Sequence, residues 1–174
     1  MRLFIALPVG NAAKALMQTQ AALQKKGVRG RFEPPEKLHL TLAFLGETPD
    51  PAPVIAAMKH VPVPKTVLSF DRLTLFGDVL VALIRPDGAL EDYARALRQS
   101  LDEAGIRYDK KAFRPHVTLA RGTVLPNAGF RFAEAQRGLQ KAKLQTAVTI
   151  LFCSDTSGET AKYTALYVQN GGRA

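Results

Sequence analysis

Two short runs of this sequence repeat the same pair of chemically useful side chains. The run His39-Leu40-Thr41-Leu42 and the run His116-Val117-Thr118-Leu119 each place a threonine two residues after a histidine. The chain has three histidines, so two of them belong to this pattern, 77 residues apart. A single His-x-Thr sequence arises easily by chance, but two matched copies indicate a shared function.

The two runs also alternate as β-strands do. Residues two apart in a strand lie on the same face, with Cα atoms roughly 6.5–7 Å apart. Each run therefore presents an imidazole beside a hydroxyl, while the intervening Leu or Val faces a core. Imidazole titrates near neutral pH, so one histidine can donate a proton while the other accepts one. Threonine hydroxyls can hydrogen-bond phosphate oxygens, and the pattern therefore predicts metal-free phosphoryl transfer.

Further candidates surround the two runs. Arg121 follows Thr118 by three residues, which puts it on the opposite face of an ideal strand, although beside Gly122 it can still turn to the rim of the cleft. Arg31 and Phe32 are candidate RNA contacts, because cations bind phosphate and aromatic rings stack on bases. They serve equally well as part of a soluble loop. A zinc site is not expected, because two histidines without a nearby acidic cluster or cysteines supply too few ligands.

The elements that would position these residues come in two halves of similar plan. Period-two apolar patterns predict strands, period-3.6 patterns predict helices, and Gly and Pro mark their ends. The segment 126–140 remains ambiguous. Strands are predicted at 3–7, 38–45, 67–70, 73–76, 79–84, 115–122, 147–153 and 163–169, and helices at 12–26, 53–59 and 89–104.

Composition narrows the class of protein. The length of 174 residues is typical of one domain, and we expect a single domain over 1–174. The net charge of +9 favours a polyanionic partner without deciding for one. Cys153 is the only cysteine, so an intrachain disulfide is impossible. No apolar run is long enough to cross a membrane. A monomeric, cytoplasmic protein is the simplest expectation.

The motif segments resemble a known family. The segment 34–46 around His39 and the segment Phe113-Arg114-Pro115-His116-Val117-Thr118-Leu119-Ala120-Arg121 closely resemble the motifs of the two-histidine (2H) phosphoesterases. Within that superfamily they are similar to the RNA 2′,3′-cyclic phosphodiesterases, also called 2′-5′ RNA ligases. The resemblance extends over almost the whole chain, from the opening strand to the late Tyr163.

The resemblance implies a fold and an activity. The fold is α+β and bilobal, with two pseudo-symmetric antiparallel sheets lining a central cleft and helices outside. The activity is hydrolysis of a 2′,3′-cyclic phosphate at an RNA end to a 2′-phosphate, without a cofactor, and its reverse gives 2′-5′ ligation. Carried over to matching positions, His39 is the proton donor and His116 the proton acceptor. Thr41, Thr118 and Arg121 would bind the phosphate, and Phe32 stands where relatives often have tryptophan.

Two alternatives to that activity stay open. The cleft could bind a nucleotide or an RNA end without turning it over, although two intact motifs argue against this. The chain could also act on a small cyclic nucleotide or a 2′-5′ oligoadenylate instead of RNA. The positive charge favours a polymeric anion only weakly.

Overall fold

The chain folds into one curved antiparallel sheet with four helices around it. The computed structural model describes residues 1–171, so the last three residues of the predicted single domain lie outside the described residues. The strands are β1 (Arg2–Pro8), β2 (Arg29–Phe32), β3 (His39–Glu47), β4 (Thr66–Phe76), β5 (Val79–Ile84), β6 (His116–Val124), β7 (Lys143–Thr146), β8 (Val148–Asp155) and β9 (Lys162–Asn170). The helices are α1 (Ala13–Lys25), α2 (Ala52–Lys59), α3 (Gly88–Glu103) and α4 (Ala133–Gln140).

The sheet consists of two matching halves. Its strand order is β7-β4-β5-β6-β3-β1-β8-β9, with β2 attached to β6. In each half, a strand is followed by a helix and then by the motif strand that pairs with it: β1, α1 and β3 in one, β5, α3 and β6 in the other. The halves meet where Leu40 of β3 pairs with Val117 of β6. The predicted α+β, bilobal arrangement is confirmed, and its two sheets are continuous through this contact.

The motif strands hold their place through the core. Leu40, Leu42, Val117 and Leu119 are all fully buried. Burying side chains of this size is the main stabilising contribution to such a strand, at about 1.5–3 kcal/mol each. Because the apolar side chains face the core, the histidines and threonines between them face the cleft.

The most regular helix, α3, begins and ends within one residue of the predicted bounds 89–104. The side chain of Asp87 accepts a hydrogen bond of 3.0 Å from the amide of Leu90, which caps the first turn of α3. Gly105 follows the helix with a φ of 70°, a left-handed conformation that glycine adopts without strain. The apolar stripe of α3 is buried as predicted: Leu90, Tyr93, Ala94, Leu97 and Leu101.

Sequence patterns missed two short strands and misjudged a third. Residues 29–32 form β2, although Gly30 had indicated a loop. Gly30 suits this strand because a Cβ there would lie 3.1 Å from the carbonyl oxygen of Arg121, and its φ is 156°. The short strand β7 gave no signal, and the ambiguous segment contains α4. The two strands predicted within 67–76 are one strand, β4, with an irregularity between Phe70 and Leu73.

Among residues 1–171, no helix is both long enough and apolar enough to cross a membrane.

Candidate active site

The contact between the two halves brings the motif residues together. In an antiparallel pair, opposite residues point to the same side of the sheet. Pairing of Leu40 with Val117 therefore sets His39 opposite Thr118, and Thr41 opposite His116. All four of these side chains are half-buried, whereas Leu40 and Val117 are fully buried on the other side. The result is a square of two imidazoles and two hydroxyls around the local two-fold axis.

Both imidazoles are held in the same way. The Nδ1 atom of His39 lies 2.6 Å from the carbonyl oxygen of Lys37, and Nδ1 of His116 lies 2.6 Å from that of Arg114. A carbonyl oxygen only accepts, so Nδ1 carries the proton and donates it in both rings. Nε2 is then the nitrogen that can exchange a proton with a substrate. The two histidines are equivalent in tautomer as well as in sequence.

Aromatic side chains fix the orientation of each imidazole. The ring of Phe4 lies 5.0 Å from that of His39, and Tyr163 meets the same imidazole edge to face at 5.6 Å. On the other side of the cleft, Phe76 meets His116 edge to face at 5.1 Å. No local sequence pattern indicates a role for Phe4 or Phe76, because each ring reaches its histidine from another strand.

A β-bulge decides where Arg121 points. Val81 of β5 pairs with Thr118, but its neighbour Leu80 pairs with Ala120, so β6 carries one extra residue at Leu119. The extra residue shifts the alternation of side chains by one position. Thr118 and Arg121, although three residues apart, therefore lie on the same face of β6. Arg121 is thus brought to the cleft by the bulge, and the position of Gly122 is not what turns it.

The same bulge occurs in the first motif strand. Ala6 pairs with Thr41 and its neighbour Ile5 with Ala43, so β3 has its extra residue at Leu42. Phe44 therefore occupies the position in β3 that Arg121 occupies in β6. The cleft is symmetric in its histidines and threonines, and it differs between its halves at this position.

An ion pair orients the guanidinium of Arg121. Its Nε donates to Oε1 of Glu33 at 3.1 Å, and the amide of Glu33 donates to the carbonyl oxygen of Leu119 at 2.9 Å. The Glu33 side chain is 15% exposed and that of Arg121 49% exposed, so the acid is the fixed partner. Sequence reasoning missed Glu33. The one feature of the sequence that sets Glu33 apart is its position as a single acidic residue between a basic segment and two prolines.

The two candidate RNA contacts lie on different faces of β2. Arg31 pairs directly with Arg121, which places it on the cleft face, while Phe32 pairs with the buried Ala120. Phe32 is half-buried and packs against the core. The stacking role of Phe32 stays a prediction, as does phosphate contact by Arg31. His60, at the end of α2, is exposed.

Within residues 1–171, no group of three or more His, Cys, Asp and Glu side chains is arranged to hold a metal ion.

Comparison with known proteins agrees with this geometry. Residues 7–85, which include the first motif, match the family described as LigT-like phosphoesterase. An RNA 2′,3′-cyclic phosphodiesterase from Geobacillus stearothermophilus is 32% identical over 68% of this chain. One from Archaeoglobus fulgidus is 29% identical over 70% of this chain and 72% of its own length. This chain is thus similar to the LigT-like phosphoesterases over residues 7–85. It spans only 41% of the Geobacillus relative's length.

Solved structures show the LigT-like fold over nearly the whole chain. Escherichia coli LigT in complex with 3′-AMP superposes with a TM-score of 0.77 at 24% identity, covering 99% of this chain and 98% of that one. A protein from Thermus thermophilus superposes with a TM-score of 0.76 at 25% identity, covering 98% and 97%. The two-lobed sheet is therefore the fold of these solved structures.

The two histidines have different electrostatic surroundings. Burial lowers the pKa of His39 below 6.5, against the raising effects of its bond to the Lys37 carbonyl and of the Glu33 carboxylate. Burial also lowers the pKa of His116, and the charges of Arg114 and Arg121 lower it further. The charge of Arg121 lowers the pKa of His39 as well. The Glu33 carboxylate is the charge that favours a proton on His39, and it acts against the larger effect of burial.

These shifts predict the pH dependence of the reaction. A pair that needs one protonated and one neutral histidine gives a bell-shaped profile, and kcat/KM reports the free enzyme. Because the pKa of each histidine is lowered from 6.5, we expect the maximum below pH 6.5 and a decline as both imidazoles lose their protons. Initial rates on a 2′,3′-cyclic nucleotide between pH 4.5 and 9 test this. A maximum above pH 7.5 would contradict the effect of burial.

Proposed function

We propose that this protein is a LigT-like phosphoesterase that acts as an RNA 2′,3′-cyclic phosphodiesterase and produces a 2′-phosphate without a metal ion. The observation that carries the proposal is the pair of imidazoles with the same tautomer, each opposite a threonine of the other motif. Two such rings across one cleft suit an in-line displacement, in which one proton leaves the nucleophile and another reaches the leaving group.

The proposed reaction assigns a step to each residue. Nε2 of His116 accepts a proton from water as the water oxygen bonds to phosphorus. The bond from phosphorus to O3′ breaks, and Nε2 of His39 donates its proton to O3′. The product carries a 2′-phosphate and a free 3′-hydroxyl. The charge of Glu33 raises the pKa of His39 and is not among the charges that act on His116. This difference supports His39 as the proton donor.

The remaining cleft residues stabilise charge on the phosphate. The hydroxyls of Thr41 and Thr118 donate hydrogen bonds to the non-bridging oxygens, and Arg121 supplies a positive charge as negative charge develops. Arg31, beside Arg121, extends the cationic surface toward the RNA chain, and Phe32 is the candidate for base stacking. The net charge of +9 supports RNA over a small nucleotide. We also propose that the protein is a monomer and that it acts in the cytoplasm, a reducing compartment that its single free cysteine supports.

Product analysis in the presence of a chelator tests the function and the metal independence together. The substrates are 2′,3′-cyclic AMP and an RNA that ends in a 2′,3′-cyclic phosphate, each assayed with and without 5 mM EDTA. We expect a 2′-phosphate from both at rates that EDTA leaves unchanged. Loss of activity in EDTA that Mg²⁺ or Mn²⁺ restores would overturn the metal-free mechanism. Tight binding of either substrate with no product would indicate a nucleotide-binding module instead.

A further inference from the structure

A buried glutamine of α1 reaches the β-bulge of the second motif strand. Gln20 is only 6% exposed, so its side-chain amide needs partners inside the protein. Its Nε2 donates to the carbonyl oxygen of Leu119 at 3.0 Å and to that of Glu33 at 2.8 Å. Leu119 is the extra residue of the bulge in β6, and Glu33 is the partner of Arg121. One side-chain amide therefore ties together the two features that orient Arg121.

An arginine of α3 makes the equivalent contacts in the other half. Nε of Arg98 donates to the carbonyl oxygen of Leu42 at 3.2 Å, and its Nη1 donates to that of Lys111 at 2.8 Å. Leu42 is the extra residue of the bulge in β3. The guanidinium of Arg98 also lies 5.5 Å from the centre of the Phe113 ring, which holds it against the same loop. Arg98 thus contacts a bulge and a loop, as Gln20 contacts a bulge and the segment before β3.

The two side chains occupy matching positions in the two halves. Gln20 precedes His39 by 19 residues, and Arg98 precedes His116 by 18. Each donates one hydrogen bond to the segment that leads into the motif strand of its own half. Each donates another to the bulge in the motif strand of the other half. The contacts therefore cross between the halves in both directions.

Backbone hydrogen bonds join the halves in the same crossed way. The amide of Glu33, in the first half, donates to the carbonyl oxygen of Leu119 at 2.9 Å. The amide of Asp109, in the second half, donates to the carbonyl oxygen of Phe44 at 2.8 Å. A bulge interrupts the regular ladder of a sheet, so donors from outside the ladder are needed to fix its conformation. Gln20 and Arg98 supply such donors at the two bulges.

We propose that Gln20 and Arg98 are a reciprocal pair of positioning residues, and that Gln20 acts on catalysis through Arg121. The inference rests on the proposed function, in which Arg121 binds the phosphate. By bonding Leu119 and Glu33 together, Gln20 keeps the guanidinium of Arg121 turned to the cleft. Arg98 fixes the bulge of β3 and the loop that leads into the second motif, so its contribution does not pass through Arg121.

A double-mutant cycle tests whether Gln20 acts through Arg121. Gln20→Met keeps the length and the helix propensity of the side chain but removes both donated hydrogen bonds. We expect kcat/KM for 2′,3′-cyclic AMP to fall roughly 10-fold, less than the loss expected for Arg121→Gln. In the Arg121→Gln background the same change should cost less than about 2-fold, because the residue that it positions is gone. Equal factors in the two backgrounds would overturn the inference, since a merely structural role gives that result.

Arg98→Met provides the contrast, because it removes the corresponding hydrogen bonds at β3. We expect it to lower kcat/KM roughly 3- to 10-fold, and by the same factor in the Arg121→Gln background. Loss of its effect in that background would contradict the assignment of the two residues to separate bulges. Gln24→Met and Arg95→Met are the matched controls, the same substitutions at exposed positions of α1 and α3, and should leave kcat/KM unchanged.

Thermal unfolding shows which variants are folded. If Gln20→Met is not, Gln20→Asn takes its place in the cycle. Asparagine keeps the amide in the buried site but is one CH₂ group shorter, so it cannot bond both the Leu119 and the Glu33 carbonyl oxygens. A rate equal to that of the wild type in Gln20→Asn would overturn the inference.

A measurement without substrate separates this inference from the proposed function. Nε of Arg121 donates to Glu33, which slows exchange of its proton with solvent. Side-chain proton–nitrogen correlation spectra identify this signal by its absence in Arg121→Gln. We expect faster exchange in Gln20→Met and unchanged exchange in Gln24→Met and Arg98→Met. Unchanged exchange in Gln20→Met would overturn the inference, whereas failure of the wild type to hydrolyse 2′,3′-cyclic AMP would contradict the proposed function.

Discussion

Replacement of His39 or His116 by alanine is expected to lower kcat/KM for 2′,3′-cyclic AMP by roughly 100- to 10,000-fold, the usual contribution of a general acid or base. Each ring is held with Nε2 toward the substrate by its own bond to a backbone carbonyl. In the proposed mechanism, the water loses its proton acceptor without His116, and the O3′ leaves as an alkoxide without His39. Because the two act in the same step, the double variant should lose little more than the more damaged single variant.

His60→Ala is the matched control for this experiment. His60 is the third histidine and is exposed at the end of α2, so its removal should leave the rate unchanged. Thermal unfolding of each variant shows whether the fold is intact, since both motif histidines are half-buried. Retention of near-wild-type rates by either folded motif variant would remove that histidine from the mechanism. Equal losses in the His60 variant would point to a non-specific effect.

Replacement of Arg121 by glutamine is expected to lower kcat/KM roughly 100-fold. The bulge in β6 turns Arg121 to the cleft, and the Glu33 carboxylate holds its guanidinium there. Loss of a fixed donor to developing negative charge costs about 100- to 1,000-fold in well-studied sites. The charge is the decisive property, so Arg121→Lys should recover part of the rate. Its flexible ammonium cannot reproduce the planar guanidinium.

Two further variants separate charge on the phosphate from surface charge in general. Arg95→Gln removes an exposed arginine of α3, with a side chain 71% exposed, and should leave kcat/KM unchanged. Glu33→Gln keeps the size of the side chain but removes its charge, so Arg121 loses its orienting partner. We expect a loss smaller than that of Arg121→Gln, together with a lower apparent pKa for the group that donates the proton. If Arg121→Gln affected KM for RNA but not turnover of 2′,3′-cyclic AMP, Arg121 would be an RNA contact outside the chemistry.

Most of the regular elements could be predicted because their signals are local. The apolar stripe of α3 and its capping residue Asp87 lie within one segment, and the alternation of the motif strands is visible over four residues. By contrast, β2 has no alternation, since Arg29, Gly30 and Arg31 are all exposed. It is a strand because Gly30 allows the backbone to approach β6 closely, and a partner 90 residues away leaves no trace in a local pattern.

In the candidate site, too, some side chains could be placed from local sequence alone, and others only from contacts with distant segments. The two His-x-Thr pairs were evident from residue type and spacing alone, because alternation in a strand places both side chains on one face. The face of the strand on which Arg121 lies could not be predicted in this way, because side chains no longer alternate strictly at a β-bulge. The bulge is set by the register of β6 against β5, which involves residues about 40 positions away. Glu33, Phe4 and Phe76 escaped notice for the same reason.

The sequence by itself determined which groups can transfer protons and bind phosphate, and that they lie in two equivalent strands. Side-chain chemistry and short-range periodicity carry that information. Only the tertiary structure decided that the two strands meet at Leu40 and Val117, so that each histidine faces the threonine of the other motif. It also decided that the Glu33 carboxylate acts on His39 and forms an ion pair with Arg121. Those features depend on packing between segments far apart in the chain, where no local pattern reaches.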